Sequence, residues 1–182
     1  MGNSRRQWMR GVHCITTVGL ICAILAGLQG CASGGASSSG DLITASDETD
    51  ASKRARIRLE LAVGYFEKGQ TTIALDELKQ SINADPGRYE AYNLRGLIYM
   101  RLNDPGLAEE SFRRALSINP KAANVQHNFG WLLCQNARVT EAEKLFGDAI
   151  ANPAYGDRAK TWMIMGLCQL KDGKKAAAES SL

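Results

Sequence analysis

Apolar residues in this chain recur at helical spacing from about residue 53 onward. The clearest stretch runs from Val125 to Ile150. Phe129, Gly130, Leu132 and Leu133 fall on one side of a first short helix. Ala142, Leu145, Phe146 and Ala149 follow the i, i+3, i+4, i+7 spacing in a second. Asn136-Ala137-Arg138 interrupts the pattern between them. Neither helix can bury its apolar face alone, so the stretch needs neighbours, and they stand at fixed distances. Small residues recur as Ala62, Gly96, Gly130 and Gly166, spaced 34, 34 and 36 apart. A second small series, Ala74, Ala108, Ala142 and Ala178, has the same spacings, as does a large apolar one, Leu78, Phe112, Phe146 and Leu182.

Three series in one register define a helix-turn-helix unit of 34 residues, the signature of the tetratricopeptide repeat. Small residues let paired helices approach closely, and the large residue fills the gap beside them. Tyr65, Tyr99 and Leu133 share one further position. Pro86 and Pro120 stop the second helices of the first two units. The pattern predicts an all-α solenoid of about three and a half repeats, near residues 55–88, 89–122, 123–156 and 159–182. In the first unit it predicts helices from Lys53 to Glu67 and from Thr72 to Asn83. Asp104-Pro105 forms an N-cap and N1 pair in the second. Arg58 and Arg95 stand at positions that are usually apolar, so both are expected to reach solvent, Arg95 along its stem. Trp162, Met165 and Gly166 mark the fourth unit, Gly173 its turn, and Lys174 the start of its last helix. A repeat array normally ends in a polar capping helix. Here Leu182 falls inside a repeat, as expected of a fragment or a truncated product.

The first fifty residues differ in kind. Arg5, Arg6 and Arg10 precede an apolar run from Ile15 to Leu25, which ends at Leu28-Gln29-Gly30-Cys31, the form of a secretory signal. Its end resembles the lipobox of bacterial lipoproteins. That resemblance implies cleavage after residue 30, acylation of Cys31 and sorting to the outer membrane. The apolar run is short of the roughly 20 residues that span a bilayer, which disfavours an uncleaved anchor. Ser4-Arg5-Arg6-Gln7 also resembles a twin-arginine motif, and an ordinary basic n-region is the favoured alternative. Residues 31–52, rich in Gly, Ser and acids, are expected to form a flexible tether, leaving 53–182 as the repeat domain. The formal net charge of +3 comes from the three arginines before residue 31, and the remainder is balanced. That excludes the clustered basic surface of a nucleic-acid binder.

The third and fourth units carry a more specific resemblance. Asn128-Phe129-Gly130-Trp131-Leu132-Leu133-Cys134-Gln135 and Gly166-Leu167-Cys168-Gln169 resemble the type IV pilus biogenesis/stability family called PilW or PilF, as does Asn152-Pro153-Ala154-Tyr155-Gly156. The resemblance implies a pilotin-like scaffold. It would be lipid-anchored in the outer membrane with its repeats in the periplasm, binding the pilus secretin or another pilus-assembly protein and assisting secretin localisation and multimerisation. It also implies a disulfide between Cys134 and Cys168, which an oxidising periplasm allows; the alternative is two buried thiols. Another envelope scaffold, for outer-membrane protein or cell-wall assembly, is the second functional reading, and an accessory part of a longer enzyme the third.

The first helices of the units are expected to line the concave face. In this register they present Leu59, Val63 and Phe66, then Asn93, Leu97 and Met100, then His127, Trp131 and Gln135, a groove suited to an amphipathic partner segment. His127 is the only histidine beyond the signal, and a lone histidine is read as a surface or hydrogen-bonded residue. No catalytic constellation, metal-ligand spacing or phosphate loop is present in the sequence. The expectation is a non-enzymatic protein with no cofactor, metal or small-molecule substrate.

Overall fold

The computed structural model describes residues 47–182. The expected signal peptide, Cys31 and the tether up to residue 46 lie outside the described residues. Those described form eight helices: α1 (Asp50–Glu67), α2 (Thr71–Ala84), α3 (Tyr89–Arg101), α4 (Pro105–Ile118), α5 (Ala123–Gln135), α6 (Val139–Ile150), α7 (Arg158–Lys171) and α8 (Lys175–Ser181). They pair as α1–α2, α3–α4, α5–α6 and α7–α8, and each pair stacks on the next. This is the predicted solenoid of helical hairpins.

Helix α1 begins at Asp50, earlier than the Lys53 expected. The Thr49 side chain accepts a hydrogen bond from Ser52 N at 3.1 Å, capping the helix. Glu48 then pairs with Arg56 at 3.3 Å and lies 3.7 Å from Arg88. Local capping thus draws residues 50–52, read as tether, into the first turn. At α4 the cap is the one expected: Leu107 N donates to Asp104 Oδ1 at 3.0 Å, with Pro105 in the first turn.

The series of small and large residues meet within the hairpins. A Cβ on Gly96 would lie 2.6 Å from Phe112 Cε1, on Gly130 2.7 Å from Phe146 Cε1, and on Gly166 2.7 Å from Leu182 Cγ. Each glycine admits the ring or branched side chain that faces it from the partner helix of its own hairpin. Ala74, Ala108, Ala142 and Ala178 are fully buried beside them. Between hairpins, the Phe112 and Phe129 rings stack with centroids 5.9 Å apart, tying the second repeat to the third.

The turn inside each hairpin repeats as well. Gly69, Asn103, Ala137 and Gly173 all have positive φ, at +75°, +58°, +60° and +80°. Glycine and asparagine tolerate this left-handed conformation; alanine pays about 1 kcal/mol for it. Ala137→Gly is therefore expected to stabilise the domain by about 1 kcal/mol. A rise in the urea midpoint at unchanged m-value would register it.

The two arginines at apolar positions are held rather than free. Arg58 Nη1 contacts Glu77 at 2.9 Å, with the side chain still 42% exposed. Arg95, expected to reach solvent, instead donates through Nε to Ser111 Oγ at 2.9 Å and lies over the Tyr92 ring. The buried Ser111 hydroxyl provides a partner inside the hairpin, which an apolar side chain there could not.

Candidate partner-binding face

The first helices of the first three hairpins, α1, α3 and α5, carry the nine residues expected to line a groove. The structure divides them. Val63 and Gln135 are exposed, whereas Leu59, Phe66, Leu97, Met100 and Trp131 are half-buried, each with one side on a core cluster. Phe66 lies under the Arg101 guanidinium at 3.7 Å, and its carbonyl accepts from Arg101 Nη1 at 2.6 Å. This cation–π contact covers the ring's outer surface. Asn93 is engaged too: its Oδ1 accepts from Asn128 Nδ2 at 3.1 Å, across the α3–α5 junction.

His127 does not line the face. It is only 8% exposed, and its Nδ1 lies 2.7 Å from Thr161 Oγ1 on α7. The Thr161 hydroxyl lies 3.3 Å from Tyr155 Oη, and the Tyr155 and Phe146 rings flank the imidazole. Stacking of the fourth hairpin closes over His127, so the position belongs to a junction. Burial pushes the His127 pKa below its usual value of 6.5; Lys160 acts in the same direction and Asp157 opposes it. The fold thus holds the neutral ring, while the unfolded chain takes up a proton as pH falls through about 6.5. Stability is fully present above that pH and is lost progressively below it. Urea midpoints at pH 7.5 and 5.5 should show a drop that shrinks in His127→Gln.

Two helical turns further along the same junction, Cys134 and Cys168 are joined as a disulfide with Cα atoms 5.9 Å apart. Both side chains are at most 2% exposed. The bridge fixes α5 against α7 at the end of the junction opposite His127.

A tetratricopeptide repeat model matches residues 89–122, the second hairpin. The type IV pilus assembly protein PilF of Pseudomonas aeruginosa is 26% identical over 160 residues, 88% of this chain and 62% of PilF. The solved structure of that PilF superposes with a TM-score of 0.70 at 26% identity, over 73% of this chain and 60% of PilF. The crystal structure of PilW, a widely conserved type IV pilus biogenesis factor, superposes with a TM-score of 0.68 at 32% identity, over 70% of this chain and 58% of PilW. The chain is a tetratricopeptide-repeat relative of the type IV pilus proteins PilF and PilW. It spans about 60% of the length of these relatives.

In this tetratricopeptide protein the exposed parts of Val63, Leu97, Trp131 and Gln135 form the accessible strip of the first-helix face. Apolar surface flanked by amide groups suits a peptide segment laid across the helices. The residues that sequence reasoning missed are those that shape the strip from beside it: Arg101 over Phe66, Asn128 holding Asn93, and Thr161 and Tyr155 around His127. Asn128 and Tyr155 sit inside the motifs that mark the family resemblance, but no spacing signals their contacts.

A second feature lies on the other side of the hairpins. Between α4 and α6 a depression of about 430 Å³ is lined by Leu116, Phe129, Leu133 and Leu145 among others. At its edge, Gln126 Nε2 donates to the Pro120 carbonyl at 3.0 Å. Across the adjoining helix ends, Arg138 binds Glu109 at 2.6 Å and Glu141 at 2.7 Å. Burial alone would raise the Glu109 pKa, but hydrogen bonds from Arg113 and Arg138 outweigh it and hold it low. This network is accounted for by stacking of the second hairpin on the third. Among the described residues there is no group of three or more His, Cys, Asp and Glu side chains placed to hold a metal ion, and no helix long and apolar enough to cross a membrane.

Proposed function

We propose that this chain is a non-enzymatic scaffold of type IV pilus biogenesis, a lipoprotein anchored through Cys31 to the outer membrane with its repeats facing the periplasm. Its first-helix face binds a segment of a pilus-assembly protein, the secretin in the first place, and assists that protein's localisation and multimerisation. The observation that carries the reading is the similarity to PilF over 88% of this chain. An accessible apolar strip with Trp131 at its centre supports a role in binding a polypeptide.

The test is genetic and biochemical. In the cell that makes this chain, deleting its gene should reduce secretin multimers on a denaturing gel and move secretin out of the outer-membrane fraction. The wild-type gene should restore both. Cys31→Ser should restore neither fully, because the scaffold is then unanchored. Normal multimers and normal pili in the deletion strain would overturn the proposal.

A further inference from the structure

Two amide side chains meet on the accessible strip. Asn93 stands one turn before Leu97 on α3, and Asn128 one turn before Trp131 on α5. Asn128 Nδ2 donates to Asn93 Oδ1 at 3.1 Å. An amide offers more than one such bond. Among the described residues, nothing else bonds Asn93 Nδ2 or Asn128 Oδ1, and neither atom is sealed from solvent. Exchanging nitrogen and oxygen in both amides leaves the same set, one open donor beside one open acceptor.

Stacking of the hairpins does not call for these amides. The same two positions 34 residues earlier are Leu59 and Leu94, which belong to one apolar cluster at the α1–α3 contact. Leu94 is 7% exposed there, whereas Asn93 and Asn128 are only half-buried. A leucine pair thus closes the first junction, while the amide pair leaves the second open with part of its hydrogen-bonding capacity unused. In the third junction the first position is His127, which turns to Thr161 instead. The open donor and acceptor therefore stand in the middle of the strip, beside Leu97 and Trp131.

We infer that Asn93 and Asn128 together read the backbone of the partner, and that the partner segment lies across α3 and α5 in extended conformation. The N–H of one of its residues donates to Asn128 Oδ1, and the C=O of the same residue accepts from Asn93 Nδ2. In an extended chain those two groups point to one edge, as they do in an antiparallel ladder. In a helix both are spent on the helix's own bonds, and the asparagine pair would face groups with nothing to give. Side chains on one face of the extended segment then lean toward Leu97 and Trp131, one turn further along, and supply the selectivity that a backbone bond lacks. The inference rests on the proposed partner-binding face and names the form of its partner.

Two sets of peptides test it on the 182-residue chain. One tiles the pilus secretin of the same cell; the other is selected on the chain from a random library. Binders should move the side-chain amide signals of Asn93 and Asn128 in a heteronuclear NMR spectrum. Methylating one backbone nitrogen of such a peptide should weaken it about tenfold in fluorescence anisotropy, whereas alanine at that residue should change it by less than about twofold. Asn93→Leu and Asn128→Leu should each weaken the unmethylated peptide about tenfold, and Asn128→Leu should weaken the methylated one no further. The double variant restores the leucine pair of the first junction, so its urea midpoint should not fall below wild type. Binding lost at full stability separates recognition from packing. The methylation scan is read on the wild type and stands even if a variant misfolds. Library peptides that behave in this way while no secretin peptide binds would remove the secretin as partner and uphold the inference. Secretin peptides that bind as helices, leave both amide signals unmoved or tolerate every backbone methyl would overturn the inference and leave the pilus role standing. An absence of binders from both sets overturns the inference as well.

Discussion

Replacing Phe146 with Ala should destabilise the repeat domain by about 3–5 kcal/mol, the cost of emptying a fully buried aromatic site. Phe146 is 0% exposed and fills the space that Gly130 leaves open. The contact predicts a specific coupling as well as a loss. Gly130→Ala alone places a methyl 2.7 Å from Phe146 Cε1, against a ring that has nowhere to move. It should cost about 1–3 kcal/mol through overpacking, despite alanine's better helix propensity. In the Phe146→Ala background the same methyl enters vacated space, so Gly130→Ala should be neutral or stabilising there. A double-mutant cycle in urea reads this directly. Penalties that simply add would mean that the glycine–aromatic series does not set the spacing of the hairpins.

The second large effect is the loss of the Cys134–Cys168 bridge. The two cysteines are 34 residues apart in sequence. Loop-closure entropy for a loop of that length stabilises the folded state by about 3–4 kcal/mol. Converting both cysteines to alanine, buried among apolar neighbours, should lower the urea unfolding free energy by about that amount. The oxidised wild type should lose a similar amount once it is unfolded in reductant and refolded without the bridge. Hydrogen exchange should show the loss centred on α5 and α7, with α1 and α2 little affected, because repeats transmit stability mainly to their neighbours. Equal stability of the oxidised and reduced proteins would contradict the prediction.

The repeat was legible in the sequence because its physical cause is a contact between two residue sizes. Gly96 with Phe112, and Gly130 with Phe146, must be small and large together, so the pattern records the packing itself. The last turn was legible for a similar reason, since Gly173 marks a left-handed backbone. The face was less so. His127 occupies the register of Asn93 and of Leu59, and position alone does not tell an open groove residue from one that the next helix covers. What decides is the loop ahead of α7, which brings Tyr155 against the imidazole and Thr161 to its nitrogen. The two extra residues in that loop were visible as a break in the spacing, but their effect on His127 was not. Arg95 was misjudged because its partner, Ser111, lies on the other helix of its own hairpin. The pairing of the two cysteines rested on the family resemblance; the geometry that brings their Cα atoms to 5.9 Å comes from the stacking of α7 on α5.

The proposed role stands on the first-helix face carrying the partner. Its most direct measurement is site-specific photo-crosslinking in the cell that makes this chain, with the reactive side chain placed at Val63 on that face or at Glu110 on α4. Val63 is 38% exposed and the Glu110 side chain 68% exposed, so both probes are accessible. The account predicts a crosslinked adduct containing the pilus secretin from Val63 and none from Glu110. Adducts from Glu110 alone, or from neither position while pili assemble normally, would contradict it.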